Sequence, residues 1–129
     1  MSAALLESHF RQLEKLQAEA VHNNSENSEK WRNRLIDIRR EMQAQINGMG
    51  VALSDCSAKG AGASTCQMLR GEISKLRSAL ALHQATWPAV AIDVNDPSYR
   101  SSLVKLRGAN EQFRSAASIA IAKLKAANL

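Results

Sequence analysis

The chain has few of the residues that interrupt helices and few aromatic residues. Among its 129 residues there are two prolines, six glycines and five aromatic side chains. An all-β fold needs frequent turns between short strands, and this chain has too few turn-forming residues to supply them. Residues that favour helices, such as alanine, leucine, arginine and glutamate, are abundant instead. The composition therefore predicts an all-α protein.

Long apolar runs and a secretory leader are also lacking. No run approaches the roughly 18 apolar residues that a membrane-spanning helix needs. The N-terminal stretch MSAALLESHFRQLEKL has no basic start followed by an apolar core, as a secretory signal would have. The length suits one domain over residues 1–129 with a single core. We therefore expect a cytoplasmic domain without a membrane span, in which free thiols are the default state of cysteine.

Apolar residues recur at alternating steps of three and four in four segments. This spacing places them on one face of a helix, and we call such a face a seam. The predicted helices cover about 3–21, 27–56, 65–87 and 97–127. Threes and fours that alternate over several heptads are typical of long helices packed nearly parallel. The fold prediction is an antiparallel four-helix bundle, or helical hairpins with coiled-coil-like seams.

Local signals predict where two of these helices begin. Asp96 followed by Pro97 is typical of an N-cap with proline at the first helical position. Ser64 with Gln67 three residues later fits a capping box at the start of the third helix. The apolar stretch PAVAIDVND at 88–96 is expected to cross the end of the bundle as an extended segment.

The only two cysteines stand at the two ends of the small-residue tract SAKGAGAST. Residues 57–64 are predicted to form the turn between the second and third helices, which brings Cys56 and Cys66 together on inner faces. A disulfide is compatible with this arrangement if the two Cα atoms lie within about 7 Å. Two reduced, buried cysteines or a redox switch are the alternatives, and all three stay open. The spacing lacks the paired ligands of a metal site.

No residue pattern predicts catalysis. The stretch KGAGAS follows a helix and lacks the residue order of a phosphate-binding P-loop. The histidines His9, His22 and His83 have no partner at the i, i+4 spacing of a helical metal pair. No nucleophile is paired with a base. We therefore expect a protein that is not an enzyme, with no catalytic residue, cofactor or metal.

Arginines repeatedly follow seam residues. Arg100, Arg107 and Arg114 fall seven apart on the fourth helix, and Arg70 and Arg77 do so on the third. Together they are predicted to frame one basic face, as the rim of a groove for an acidic helix or for phosphates. The alternative is that their aliphatic stems cover the edge of the core while their charged groups meet acids or water.

Three further apolar residues of the fourth helix are expected outside its seam. Val104, Ile119 and Ile121 widen the apolar face beyond what a two-helix seam requires. Either another part of the chain covers this flank or a partner does, in the mode in which a helix lies in a groove.

These observations predict a non-enzymatic helical protein-binding module, such as an adaptor, an export chaperone or a regulatory subunit. In outline a small helical bundle without catalytic residues is similar to bacterial secretion and flagellar export chaperones, a resemblance that covers no specific motif. The partner is expected to be a protein, acidic or helical, and a homodimer is compatible. The alternative is a nucleic-acid-binding protein, because basic side chains are in excess in the second half of the chain. Residues 56–129 carry ten basic and four acidic side chains, whereas residues 1–55 carry seven basic and eight acidic ones.

Overall fold

The computed structural model describes residues 1–22, 28–56 and 60–129. Four α-helices account for most of them: α1 (Ala3–His22), α2 (Glu29–Ser54), α3 (Ala63–Thr86) and α4 (Pro97–Ala126). A single 3₁₀ turn, Ala89–Ala91, lies between α3 and α4. No strand occurs in these three ranges. The predicted all-α class is confirmed.

The helices pack as two pairs. The closest packing joins α1 to α2 and α3 to α4, and the two pairs meet through α1 with α4 and α2 with α3. Within the first pair, His9 contacts Gln45 through a 2.7 Å hydrogen bond between Nδ1 and Oε1. Further along, the Arg34 guanidinium binds the carboxylate of Glu19. Early residues of α1 thus meet late residues of α2, as in neighbouring helices that run in opposite directions, and the four-helix bundle is confirmed.

Of the two predicted helix starts, the one at Asp96 is confirmed and the one at Ser64 is wrong. Asp96 caps α4 by accepting a hydrogen bond of 2.8 Å from the backbone N–H of Ser98, and Pro97 follows it as predicted. Ser28 caps α2 in the same way. The capping box predicted at Ser64 is wrong, because α3 begins earlier, after Gly62.

Gly62 sets the start of α3 through its backbone. Its φ of +83° lies in the left-handed region, which glycine enters without steric cost, and no side chain caps the helix there. A Cβ at this position would stand 2.4 Å from Cδ1 of Leu129. The C-terminus therefore packs directly on this turn, and the backbone N–H of Ala3 donates to the carbonyl oxygen of Leu129 across 3.2 Å.

Cys56 and Cys66 form a disulfide at the same end of the bundle. Their Cα atoms are 6.5 Å apart, and Cys66 is completely buried in the core. Part of the predicted turn, residues 57–59, lies outside the described residues. The bond joins the end of α2 to the first turn of α3, so it fixes the end of the bundle to which the C-terminus is also attached.

The buried apolar residues fall into two clusters. The large one runs through all four helices and contains Phe10 and Phe113, whose rings meet edge to face with centroids 6.1 Å apart. The small one lies at the opposite end from the disulfide, and it consists of Trp31, Leu35, Ala89, Ile92, Val94 and Tyr99. The stretch 88–96 therefore covers the end of the bundle, but the prediction that it is extended is wrong at its start, where the 3₁₀ turn forms.

None of the helices in the described ranges combines the length and apolar character needed to cross a bilayer.

Candidate functional site

A cavity separates the two apolar clusters. It lies between the helix pairs, in the half of the bundle remote from the disulfide, and side chains of all four helices line it. Its volume is about 60 Å³, enough for a few water molecules. Apolar side chains make up most of its wall, among them Met42, Leu80, Leu103 and Leu106. The bundle is thus not completely filled by side chains at this level.

The cavity also contains a buried polar pair at the contact between α1 and α4. Nε2 of Gln17 donates a 3.0 Å hydrogen bond to Oδ1 of Asn110. Gln17 is only 4% exposed, and its Oε1 has no hydrogen-bond partner among the described residues. Whichever way the amide is turned, one of its two ends is left without a partner. The described residues therefore supply only one hydrogen bond to this buried amide.

His83 lines the same cavity on the α3 side. Its Nδ1 lies 2.8 Å from Oγ of Ser102, and its ring lies beside that of Tyr99, with centroids 5.9 Å apart. Burial, and after it the positive charge of Arg39, lower the pKa of His83 to about 4. The imidazole is therefore neutral at neutral pH and acts there as a hydrogen-bonding group without charge.

Ser102 and His83 are a hydroxyl and an imidazole in hydrogen-bond contact, a pairing that sequence reasoning missed because the two residues are on different helices. In serine hydrolases a buried carboxylate orients the histidine and stabilises the imidazolium that forms. Here the charged neighbour is Arg39, which has the opposite effect. This electrostatic environment opposes proton uptake by His83, so the pair is suited to structural hydrogen bonding and poorly suited to general base catalysis.

Arg39 joins α2 to the C-terminal end of α3 beside the cavity. Its Nη1 donates a 2.8 Å hydrogen bond to the carbonyl oxygen of Trp87, the residue at the C-terminal end of α3. Burial lowers the pKa of the Arg39 guanidinium, but a guanidinium keeps its charge at neutral pH. The charge is used to bind a helix end, where a cation is favourable.

Outside the cavity, the surface between α1 and α4 forms an open groove, which we call the α1–α4 groove. It occupies about 410 Å³. Its lining consists of Gln17, Ala18, Val21, Arg107, Asn110, Glu111 and Arg114. Four of these residues, Gln17, Val21, Arg107 and Asn110, also line the cavity, so the groove and the cavity adjoin. Val21 is 49% exposed and presents an apolar surface there.

The predicted basic face is wrong, because its arginines lie at different interfaces. Arg70 donates from Nη2 to the carbonyl oxygen of Leu53, and Arg77 donates across 3.1 Å to Oδ1 of Asn47. Both of these acceptors belong to α2. The two arginines therefore lie over the α2–α3 interface, on the other side of the bundle from the α1–α4 groove.

The three arginines of α4 also differ from one another. Nε of Arg100 donates a 2.9 Å hydrogen bond to the carbonyl oxygen of Val94, so this side chain supports the segment before α4. Arg107 and Arg114 line the α1–α4 groove, and within the described ranges neither makes a hydrogen bond or an ion pair. Arg107 and Arg114 therefore differ from Arg70, Arg77 and Arg100, which are bonded to other parts of the fold.

The predicted apolar flank of α4 does not exist as one surface. Ile121 is 3% exposed and belongs to the large cluster. Val104 and Ile119 are 65% and 54% exposed, but fifteen residues separate them, which is about 22 Å along a helix. Single exposed apolar residues are ordinary on protein surfaces, so neither defines a binding surface.

Sequence reasoning did not single out Gln17, Val21 or Asn110 as site residues. A signal was present, since Asn110 occupies a seam position of α4, and Gln17 follows Leu13 by four residues along the buried face of α1. Polar residues at positions that should be apolar depart from the local pattern, and such departures are expected at functional sites.

Among the described residues, no three His, Cys, Asp or Glu side chains come together as metal ligands would.

Comparison of the chain with protein-family models, with curated proteins and with solved structures gave no significant match.

Proposed function

We propose that this chain is a non-enzymatic helical protein-binding module and that its partner docks in the α1–α4 groove. The observation that carries the proposal is that Arg107 and Arg114 make no hydrogen bond or ion pair with the described residues. Both border the groove, and neither has a partner in the described part of the chain, whereas Arg70, Arg77 and Arg100 are bonded to other parts of the fold. Arginine is enriched at protein interfaces, and a guanidinium without an intramolecular partner can bond to another chain.

The wall of the groove supports the same function. Val21 offers an exposed apolar side chain next to the cavity, and Arg107 and Arg114 add polar groups to the same groove. Small-molecule and peptide sites combine these elements, a mostly apolar wall with a few placed polar groups. The role would be that of an adaptor, an export chaperone or a regulatory subunit.

Two further expectations stay predictions. Nucleic-acid binding, the alternative function, would be favoured by a continuous basic surface, and the division of the arginines between two interfaces gives it less support. A cytoplasmic location was expected from the sequence, whereas a disulfide such as Cys56–Cys66 is more typical of oxidising compartments.

Site-specific photocrosslinking in cells that express the full chain tests the proposal. A photoreactive amino acid replaces Val21 in the groove, and in the control it replaces Val51, which is 68% exposed on α2. We expect a discrete crosslinked adduct from position 21 that is absent from position 51 and that weakens when R107E and R114E are introduced together. The absence of an adduct at position 21, or the same adducts at both positions, would contradict the proposal.

A further inference from the structure

We infer that the segment bound in the α1–α4 groove is an acidic amphipathic helix with carboxylates two turns apart. This inference rests on the proposed function and names the chemistry of the partner. Arg107 and Arg114 are seven residues apart on one side of α4, a separation of about 10 Å along the axis. A second helix lying along α4 has the same repeat, so acidic side chains at its own positions i and i+7 match the two guanidinium groups.

Glu111 determines what lies between those two carboxylates. It lines the groove between Arg107 and Arg114 and makes no ion pair with described residues. A third acidic side chain midway along the docked helix would face Glu111, and like charges at an interface are unfavourable. The middle position therefore takes a neutral or basic side chain. The expected pattern is acidic, then neutral or basic, then acidic, at successive turns.

The α1 side of the groove indicates where the docked helix is apolar. Val21 is half exposed on α1, and it borders the cavity that Leu103 and Leu106 line from α4. An aliphatic side chain next to the acidic positions would cover Val21 and remove that surface from water.

Charge and apolar lining together distinguish this occupant from a polyphosphate or a nucleic acid. A phosphate backbone would place negative charge along the whole groove, including over Glu111. A polyphosphate would also leave Val21 uncovered, because it has no apolar surface. A helix that carries separated carboxylates and an aliphatic stripe can pair with Arg107 and Arg114 and also cover Val21.

The test uses three synthetic helical peptides that have the same length and the same leucine stripe. The first carries Glu at i and i+7 with Gln between them, the second carries Lys at i and i+7, and the third carries Glu at all three positions. Binding to the full chain is followed through the methyl resonances of Val21, Leu103 and Leu106. The protein variants are the wild type, R107E/R114E, and R40E as a matched control, because Arg40 is exposed on α2 and makes no bond with described residues.

We expect the first peptide to bind the wild type about tenfold more tightly than the second, as two partly exposed ion pairs allow. The third should bind more weakly than the first. In R107E/R114E the preference should reverse towards the Lys peptide, and R40E should behave as the wild type. Equal affinity for the first two peptides, or no change at the three methyl groups, would overturn the inference.

The two proposals can fail separately. If photocrosslinking at position 21 gives a discrete adduct but the peptides do not discriminate by charge, the chain binds a protein there and the acidic helix is wrong. If position 21 gives no adduct, the proposed function itself fails, whatever the peptides do.

Discussion

Gln17 on α1 and Asn110 on α4 form a buried hydrogen bond between the two helix pairs, with Nε2 of Gln17 3.0 Å from Oδ1 of Asn110. The other end of the Gln17 amide has no partner among the described residues. A polar pair at this depth contributes little to stability, because its members lose bonds to water when the chain folds.

This relationship gives the first prediction. The variant N110A leaves the whole Gln17 amide unpaired and should lower the free energy of unfolding by about 1–2 kcal/mol. Replacing both residues by leucine removes the unpaired atoms together, so Q17L/N110L should be neutral or more stable than the wild type. Urea unfolding curves of the three proteins measure both effects. A double variant that is less stable than N110A would show that the pair stabilises the bundle.

The second prediction separates structural arginines from those available to a partner. Arg70 binds the carbonyl oxygen of Leu53 near the end of α2, so R70A should cost about 1 kcal/mol of unfolding free energy. Arg107 makes no such bond, and R107A should change stability by less than about 0.5 kcal/mol. Thermal or urea unfolding of the two variants makes the comparison. Equal losses would mean that Arg107 also serves the fold.

The third prediction concerns the disulfide. Closing so short a loop between Cys56 and Cys66 should stabilise the protein by about 3 kcal/mol in the chain-entropy description. The midpoint of urea unfolding should therefore fall when a reductant is added. In C56A/C66A the reductant should have no effect, and this variant serves as the control. A midpoint that does not respond to reductant in the wild type would argue that the thiols are not bonded in solution.

The fourth prediction compares two helical glycines. A Cβ on Gly48 would stand 2.5 Å from Cε1 of His9, whereas a Cβ on Gly71 would meet nothing within 4 Å. Alanine favours a helix over glycine by about 1 kcal/mol, so G71A should stabilise by about that amount. G48A should lose this gain or destabilise, because the His9 ring must move and its hydrogen bond to Gln45 breaks.

A double variant checks the cause of that difference. With the ring removed, as in H9A/G48A compared with H9A alone, the change at Gly48 should stabilise as the change at Gly71 does. Differential scanning calorimetry of the set provides the unfolding free energies. If G48A and G71A stabilise equally in the wild-type background, the close packing of α1 on α2 at this point is not rigid.

The helices could be predicted from the sequence because one buried face per helix leaves a periodic trace. The periodicity does not predict which neighbouring helix lies on each side of a given helix. Arg70 and Arg107 follow seam residues in the same way, yet one lies over α2 and the other borders α1. Their separation depends on how the helices are arranged around the bundle, which is a property of the assembled fold.

At Ile121 and Gly62 the structure also differs from the sequence-based prediction, and each difference has a local physical reason. Near its C-terminal end α4 buries Ala117, Ala120, Ile121 and Leu124. Because Ile121 is buried beside the seam residue Ala120, the buried face is wider here than the predicted seam. Such a width is expected where a helix contacts two neighbours at once. The start of α3 was predicted from a side-chain cap at Ser64, but the backbone freedom of Gly62 set it instead.

The fifth prediction is a pH dependence of stability that passes through His83. Burial lowers its pKa from 6.5 to about 4 in the folded chain, and Arg39 contributes in the same direction. Well above pH 6.5 the imidazole is neutral in both the folded and the unfolded states, so the group has no effect on stability there. As the pH falls from 6.5 to 4, the unfolded chain binds a proton that the folded chain excludes. The free energy of unfolding must then decrease, by up to about 3 kcal/mol.

Carboxylates titrate in part of the same range, so the effect is read as a difference between two proteins. H83Q keeps a side chain that can hydrogen-bond to Ser102 and lacks a titrating group. Urea unfolding from about pH 9 to pH 4 should show a steeper loss of stability below about pH 7 for the wild type than for H83Q, with the two curves parallel above about pH 8. Parallel curves over the whole range would mean that His83 takes up its proton within the folded protein. Its ring would then be open to water, and the small apolar cluster around Tyr99 would not seal that end of the bundle.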